Sequence, residues 1–153
     1  MAFTSVQKIR FDDVDGAGIV YYPQFFHLCH AAFEDFFDTA APISYPQMIR
    51  DRRLGFPTVA IESEFTAPLE YGDIAVVELA VERVGRTSAA FRYTIRRKRD
   101  GKRSFRARIT TVMMDLDSRR PVEIPEELRT ILEHVLAPVG AEVGEELSPS
   151  VRT

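Results

Sequence analysis

Residues 10–37 read RFDDVDGAGIVYYPQFFHLCHAAFEDFF, and two textures meet inside them. The second half places Phe26, Cys29, Phe33 and Phe36/Phe37 at helical spacing. Phe25, Leu28 and Ala32 widen that stripe until the segment is apolar around much of its circumference. A helix this greasy is unsuited to a surface and is expected to be wrapped by a sheet. Pro23 suits its first turn, where the missing N–H would lack an intrahelical partner anyway. In the first half, Asp12, Asp13 and Asp15 crowd a glycine-containing turn. A strand is expected to enter that turn over residues 5–11, with Val6, Ile9 and Phe11 as its apolar positions.

Downstream, Pro42, Pro46 and Pro57 break residues 39–57 into a short helix over 45–53 and a loop. From residue 58 the texture is β. Residues 74–84 put Val77, Leu79 and Val81 on one face and Glu78 and Glu82 on the other. Residues 88–98 set Phe91, Tyr93 and Ile95 against Arg92, Thr94 and Arg96. Residues 103–114 set Phe105, Ala107 and Ile109 against Arg106, Arg108 and Thr110. These are half-buried antiparallel strands. A two-residue Asp100-Gly101 hairpin would pair Ile95 with Arg106 and Tyr93 with Arg108. Slipping by one residue pairs Ile95 with Phe105, Tyr93 with Ala107 and Phe91 with Ile109, and burial selects that register. The loop is then expected to be Arg99-Asp100-Gly101, with Gly101 left-handed. Residues 125–136 form a second helix, opened by Pro125 and two glutamates. Leu128, Ile131, Leu132 and Val135 are its apolar face. The order of elements predicts an α+β domain, one helix packed on an antiparallel sheet.

The chain has 153 residues, 45% apolar and 28% charged, with a formal net charge of −3. That suits a single domain with a core of its own and excludes collagen-like, low-complexity and wholly disordered classes. The domain is expected over 1–137, and the aperiodic Pro, Gly, Ser and Glu of 138–153 as a disordered tail. One cysteine, Cys29, excludes an internal disulfide and a cysteine-based zinc cage. The longest apolar stretch, 18–26, is too short for a bilayer, which takes about 20 residues. MAFTSVQKIRFDD lacks the regions of a secretory signal. A cytoplasmic protein with no membrane partner is expected. Twenty basic against 23 acidic residues give no global positive field, which argues against nucleic acid.

The acidic turn is not an EF-hand. Fitting Asp13, Asp15 and Gly16 to that pattern puts Phe11 at the first ligand and Tyr22 at the last. His27, His30 and Glu34 share a helical face, but three ligands on one helix splay apart, so no metal is expected. His30 is read as pocket lining, His27 as a structural hydrogen-bonding residue and Cys29 as a small core residue.

The run Arg10, Phe11, Asp12, Asp13, Val14, Asp15, Gly16, Ala17, Gly18, Ile19, Val20, Tyr21, Tyr22, Pro23 resembles the signature of the 4-hydroxybenzoyl-CoA thioesterase branch of the hotdog-fold acyl-CoA thioesterases. Shorter pieces, FTAPLEYGD (65–73) and GRTS (85–88), extend the resemblance over roughly 5–136. It implies a sheet wrapped around a central helix and hydrolysis of an acyl-CoA thioester, with no cofactor beyond the substrate's own coenzyme A. It matches Asp15 to the catalytic carboxylate, as nucleophile or general base, and Tyr22 to the residue whose backbone N–H polarises the thioester carbonyl. Physics supports the second role, because first-turn amides are unpaired and the helix dipole adds positive potential. Tyr21, Tyr22 and Phe26 should line the pocket. Arg86, in GRTS, falls where the family places basic contacts to the nucleotide, with Arg50, Arg52 and Arg53 as further candidates. Glu62 and Glu64 are read as structural. The chain departs from the branch at His30, where the 4-hydroxybenzoyl enzymes place an acid against the substrate hydroxyl. An assembled homo-oligomer, dimer or tetramer, is expected because family sites sit between protomers. The rival readings are a hydratase or dehydratase built on His30 and Glu34, and a non-catalytic acyl-CoA binder.

Overall fold

The computed structural model describes residues 2–136; the tail expected over 138–153 lies outside them. Alternation of apolar and charged residues builds the sheet. Its strands are β1 (Phe3–Lys8), β3 (Thr58–Phe65), β4 (Ile74–Val84), β5 (Ser88–Arg97) and β6 (Arg103–Val112). They pair antiparallel in the order β1-β4-β5-β6-β3. Helix α1 (Tyr22–Ala40) lies across the inner face. Its Phe25, Leu28, Cys29, Ala32, Phe33, Phe36 and Phe37 are buried against Val77, Leu79, Val81, Phe91, Ile95 and Phe105. Rings interlock across the layers: Phe25 stacks on Phe105 with centroids 5.1 Å apart, and Phe33 meets Phe91 edge-on at 5.5 Å. Each such side chain contributes on the order of 1.5–3 kcal/mol of burial. The sheet expected to wrap the greasy helix is observed, and so is the hotdog arrangement that the resemblance implies.

The short elements depart from expectation in instructive ways. Strand β1 begins earlier than residue 5 and Val6 faces outward, 61% exposed, while Ser5 faces in. The reason is Asp35 on α1, whose carboxylate accepts hydrogen bonds from Ser5 and Gln7 and so calls for polar inward positions on β1. Phe11 is in a 3₁₀ turn (Phe11–Asp13) and 80% exposed, edge-on to Tyr71. Helix α2 (Tyr45–Arg50) is shorter than 45–53. Ser44 caps it by accepting from the Gln47 N–H, and Arg53, at φ 52°, turns the chain away. A two-stranded ribbon of β2 (Leu54–Gly55) and β7 (Met114–Asp115) was not legible as strand. Helix α3 (Glu126–His134) buries Leu128 and Leu132 as expected.

The β5–β6 hairpin has the register selected by burial, with Ile95 opposite Phe105, Tyr93 opposite Ala107 and Phe91 opposite Ile109. Its loop is one residue longer than expected. The Gly101 N–H donates to Arg97 O and the Arg97 N–H to Lys102 O, enclosing residues 98–101. A register shift beyond Ile95, where Arg96 faces Arg103, absorbs the difference. Gly101 is left-handed at φ +70°.

Candidate active site

The acidic turn is a miniature hairpin. The Tyr21 N–H donates to Asp13 O at 3.0 Å, and the Asp15 N–H to Ile19 O at 3.0 Å. Between them Val14 bridges Val20. The Gly18 N–H closes the turn on Asp15 O at 3.0 Å, and Gly18 sits at φ +77°, a conformation that favours glycine. A second set of bonds ties this hairpin to the FTAPLEYGD segment: Val20 N–H to Leu69 O at 2.8 Å and Tyr71 N–H to Gly18 O at 3.0 Å. The start of α1 is thereby fixed relative to the acidic loop.

The three carboxylates take different positions. Asp13 caps the 3₁₀ turn, accepting from the Arg10 N–H at 2.7 Å. Asp12 presents its backbone carbonyl to Gln24 and leaves its side chain in solvent. Asp15 is exposed; its Oδ1 accepts from the Ala17 N–H at 2.8 Å, and its Oδ2 bonds to no described residue.

The amide end of α1 is equally telling. Its N-cap is Tyr21, which provides no side-chain cap. Pro23 has no N–H, and the Gln24 N–H donates to Tyr21 O at 2.9 Å. That leaves the Tyr22 N–H, which donates to no described residue. A helix terminus with one free donor and no acid in its first turn favours a developing negative charge.

One turn further along α1 a cavity of about 90 Å³ opens between the helix and strands β3, β5 and β6. Phe26 and His30 line it, as expected, together with Phe33, Phe56, Thr58, Ile61 and Tyr93. Tyr21 and Tyr22 do not reach it. They lie at the N-terminal end of the same helix, 50% and 59% exposed. Reading the sequence missed Thr58, Ile61 and Tyr93 as lining. Among the inward positions Phe91, Tyr93 and Ile95 only the tyrosine carries a polar atom, and that was the available signal.

His27 is exposed and makes no hydrogen bond among the described residues, contrary to the structural bond expected of it. The His30 ring stands 4.0 Å from Glu34 and stacks on Phe33. Cys29 is 1% exposed, and burial pushes its thiol far above the ordinary range, as befits a core residue. Arg86 occupies the β4–β5 turn outside the cavity lining, exposed and paired with Glu123 at 3.0 Å. Arg52 pairs with Glu127 and Arg53 with Asp117, while Arg50 stands exposed. Glu64 is paired with Arg106 at 2.8 Å, a structural role, whereas Glu62 is exposed. A larger concavity of about 500 Å³ on the outer sheet face is lined by Glu62, Glu64, Glu82, Arg92, Arg103, Arg106 and Arg108, several paired with one another.

Residues 9–132 match the family model described as the thioesterase-like superfamily. A 1,4-dihydroxy-2-naphthoyl-CoA hydrolase from Nostoc punctiforme is 28% identical over 135 residues, spanning 87% of this chain and 88% of the relative. The 4-hydroxybenzoyl-CoA thioesterase of Pseudomonas sp. is 26% identical over 133 residues, covering 82% and 94%. Among solved structures, a 1,4-dihydroxy-2-naphthoyl-CoA thioesterase from Synechocystis superposes with a TM-score of 0.79 at 26% identity, covering 86% of this chain and 96% of that one. A 4-hydroxybenzoyl-CoA thioesterase carrying an Asp-to-Asn substitution, complexed with 4-hydroxybenzoyl-CoA, superposes with a TM-score of 0.78 at 26% identity, covering 86% and 98%. With the fold, the acidic hairpin and these likenesses in agreement, the chain belongs to the thioesterase-like superfamily.

Proposed function

We propose that this protein hydrolyses an acyl-CoA thioester, releasing free acid and coenzyme A, with Asp15 as the reacting carboxylate and the Tyr22 N–H as the oxyanion donor. The observation that carries the reading is a free carboxylate oxygen on a hairpin bonded directly to the start of a helix whose one free first-turn amide is Tyr22. An amide donor aimed at the developing oxyanion is commonly worth about 3 kcal/mol of barrier. Asp15 then either attacks the carbonyl, expelling the thiolate and leaving an anhydride that water opens, or deprotonates the attacking water. Both routes use the same oxyanion donor; direct attack brings the Asp15 oxygen against the carbonyl carbon, and the base route leaves room for one water between them. The acyl group runs past Phe26 into the cavity, which suits an aromatic or short-to-medium chain. Arg86, exposed beside Glu123, is the cation proposed to meet the nucleotide phosphates.

The site is proposed to be completed by a second copy of the chain. Strand β3 is a sheet edge eight residues long, bonded among the described residues only to β6. It exposes Val59 (60%), Ile61 (46%) and Phe65 (44%), and Ile61 lines the cavity. An edge that is long, apolar and unpaired is a template for another strand. Pairing two such edges about a two-fold axis extends the sheet and sets the partner copy beside the cavity-lining strand.

His30 and Glu34 do not favour the hydratase reading, since 4.0 Å exceeds a hydrogen bond and both side chains are about half exposed. A thiol-release assay on aryl-, short- and long-chain acyl-CoAs tests the proposal. Thiol is expected from the aryl or shorter chains. A change in acyl unsaturation without thiol would identify a hydratase, and no thiol from any chain would identify a binder.

A further inference from the structure

Arg97, the last residue of β5, is the one charged residue that is buried among the described residues, at 7% exposed. Burying a guanidinium is costly unless its donors are met. Here they are met from two directions. Nε and Nη2 grip the Asp100 carboxylate at 3.2 and 2.6 Å, and Nη1 donates to Pro68 O at 3.0 Å. Asp100 is itself held by the Lys102 N–H at 3.0 Å. The β5–β6 turn therefore orients the planar fork and leaves one arm of it for the 65–73 segment. The proposed chemistry makes no use of this residue.

What that arm holds supports both reacting groups. Pro68 precedes Leu69, whose carbonyl accepts from the Val20 N–H. Val20 follows Ile19, whose carbonyl holds the Asp15 N–H, and stands two residues before the free Tyr22 amide. Three hydrogen bonds thus lead from the guanidinium to the Asp15 backbone, with one step of chain between successive bonds. The far end of the segment is tied to the same turn. Arg99 Nε donates to Asp73 Oδ1 at 2.8 Å, and Asp73 Oδ2 accepts from the Glu70 N–H at 2.9 Å. The acyl cavity takes none of its lining from 65–73 or from the β5–β6 turn. A displaced 65–73 segment would therefore move Asp15 without reshaping what holds the acyl group.

We infer that Arg97 is a positioning residue for the hydrolysis: by bridging Asp100 and Pro68 O it fixes the segment that sets the Asp15 carboxylate against the Tyr22 amide. The inference rests on the proposed function for what Asp15 and Tyr22 do. It goes beyond that reading in assigning their alignment to a residue outside the site. A misplacement of about 1 Å that originates far from the chemistry can cost about 10²-fold in rate.

The test is Arg97→Met, which keeps the apolar stem and removes the donors, assayed with benzoyl-CoA. Its kcat is expected to fall by about 10- to 10²-fold. Affinity, measured calorimetrically on Asp15→Asn protein with and without Arg97→Met, is expected to stay within about twofold, because the cavity is untouched. In that same Asp15→Asn background Arg97→Met should lower the residual turnover by about twofold at most, since no carboxylate remains to be misplaced. Hydrogen exchange at the Asp15 and Val20 amides should quicken in Arg97→Met by more than exchange in β4 does. Should the methionine variant not fold, Arg97→Lys, which keeps one donor, is expected to show the same pattern at smaller size. Unchanged kcat in a folded variant, kcat and affinity falling together, or an equal loss in both backgrounds overturns the inference. Failure of the wild-type protein to release thiol would defeat the hydrolase reading instead. Exchange then decides the role of Arg97, and unchanged rates at Asp15 and Val20 would overturn it.

Discussion

Asp12, Asp13 and Asp15 are interchangeable as letters and distinct as groups, because the backbone around them assigns each a partner or leaves it none. Asp13 is consumed by the Arg10 amide. Asp15 keeps an oxygen free because its turn needs only Oδ1. Asp100 is likewise set by its immediate neighbours. Arg97 grips its carboxylate with two nitrogens, and the Lys102 N–H adds a third bond, so its pKa is held below the ordinary value. The stability this adds is present above the usual aspartate pKa of about 3.9 and is lost as pH falls through the lower folded value. Asp100→Asn should therefore flatten the acid limb of a stability-versus-pH curve below about pH 4; an unchanged acid limb would show that the contact does not couple to folding. At this scale the sequence made the burial of Cys29 and the placement of Phe26 and His30 along a cavity legible. Tyr93 was legible only as an inward position, since alternation reports which face a residue occupies and not which cavity it lines.

At the scale of elements, β4, β5, β6 and α1 were readable because each carries a strong period, and the β5–β6 register followed from burial alone. What escaped was set by partners distant in sequence. Ser5 faces inward because of Asp35, thirty positions away, and the β2–β7 ribbon exists because Leu54 meets Asp115. The central element for function is the first turn of α1, and it can be tested without touching Asp15. Tyr22→Ala keeps the backbone N–H, while Tyr22→Pro removes it. The alanine variant is expected to retain turnover within about tenfold of wild type, and the proline variant to lose a further 10²-fold or so, the scale of one oxyanion donor. Circular dichroism and thermal unfolding should show α1 intact in both. Equal turnover in the two variants would remove the amide from the mechanism.

For the whole molecule, the question is what covers β3. Thr58 and Ile61 of that edge strand line the cavity, and a second chain of the same sequence has the matching edge to offer. Light scattering should give a mass at least twice the 17.4 kDa of one chain. Val59→Lys, which charges the exposed edge, should shift the population to monomer and lower activity with it. A wild-type protein that is monomeric and fully active would refute the shared site.

The claim beneath all of this is that one exposed carboxylate performs the chemistry. Turnover and acyl-CoA binding measured side by side for wild type and Asp15→Asn address it most directly. The variant is expected to bind substrate with near-wild-type affinity while its kcat falls by on the order of 10³-fold or more. Near-wild-type kcat in a folded, ligand-binding Asp15→Asn protein would contradict the account.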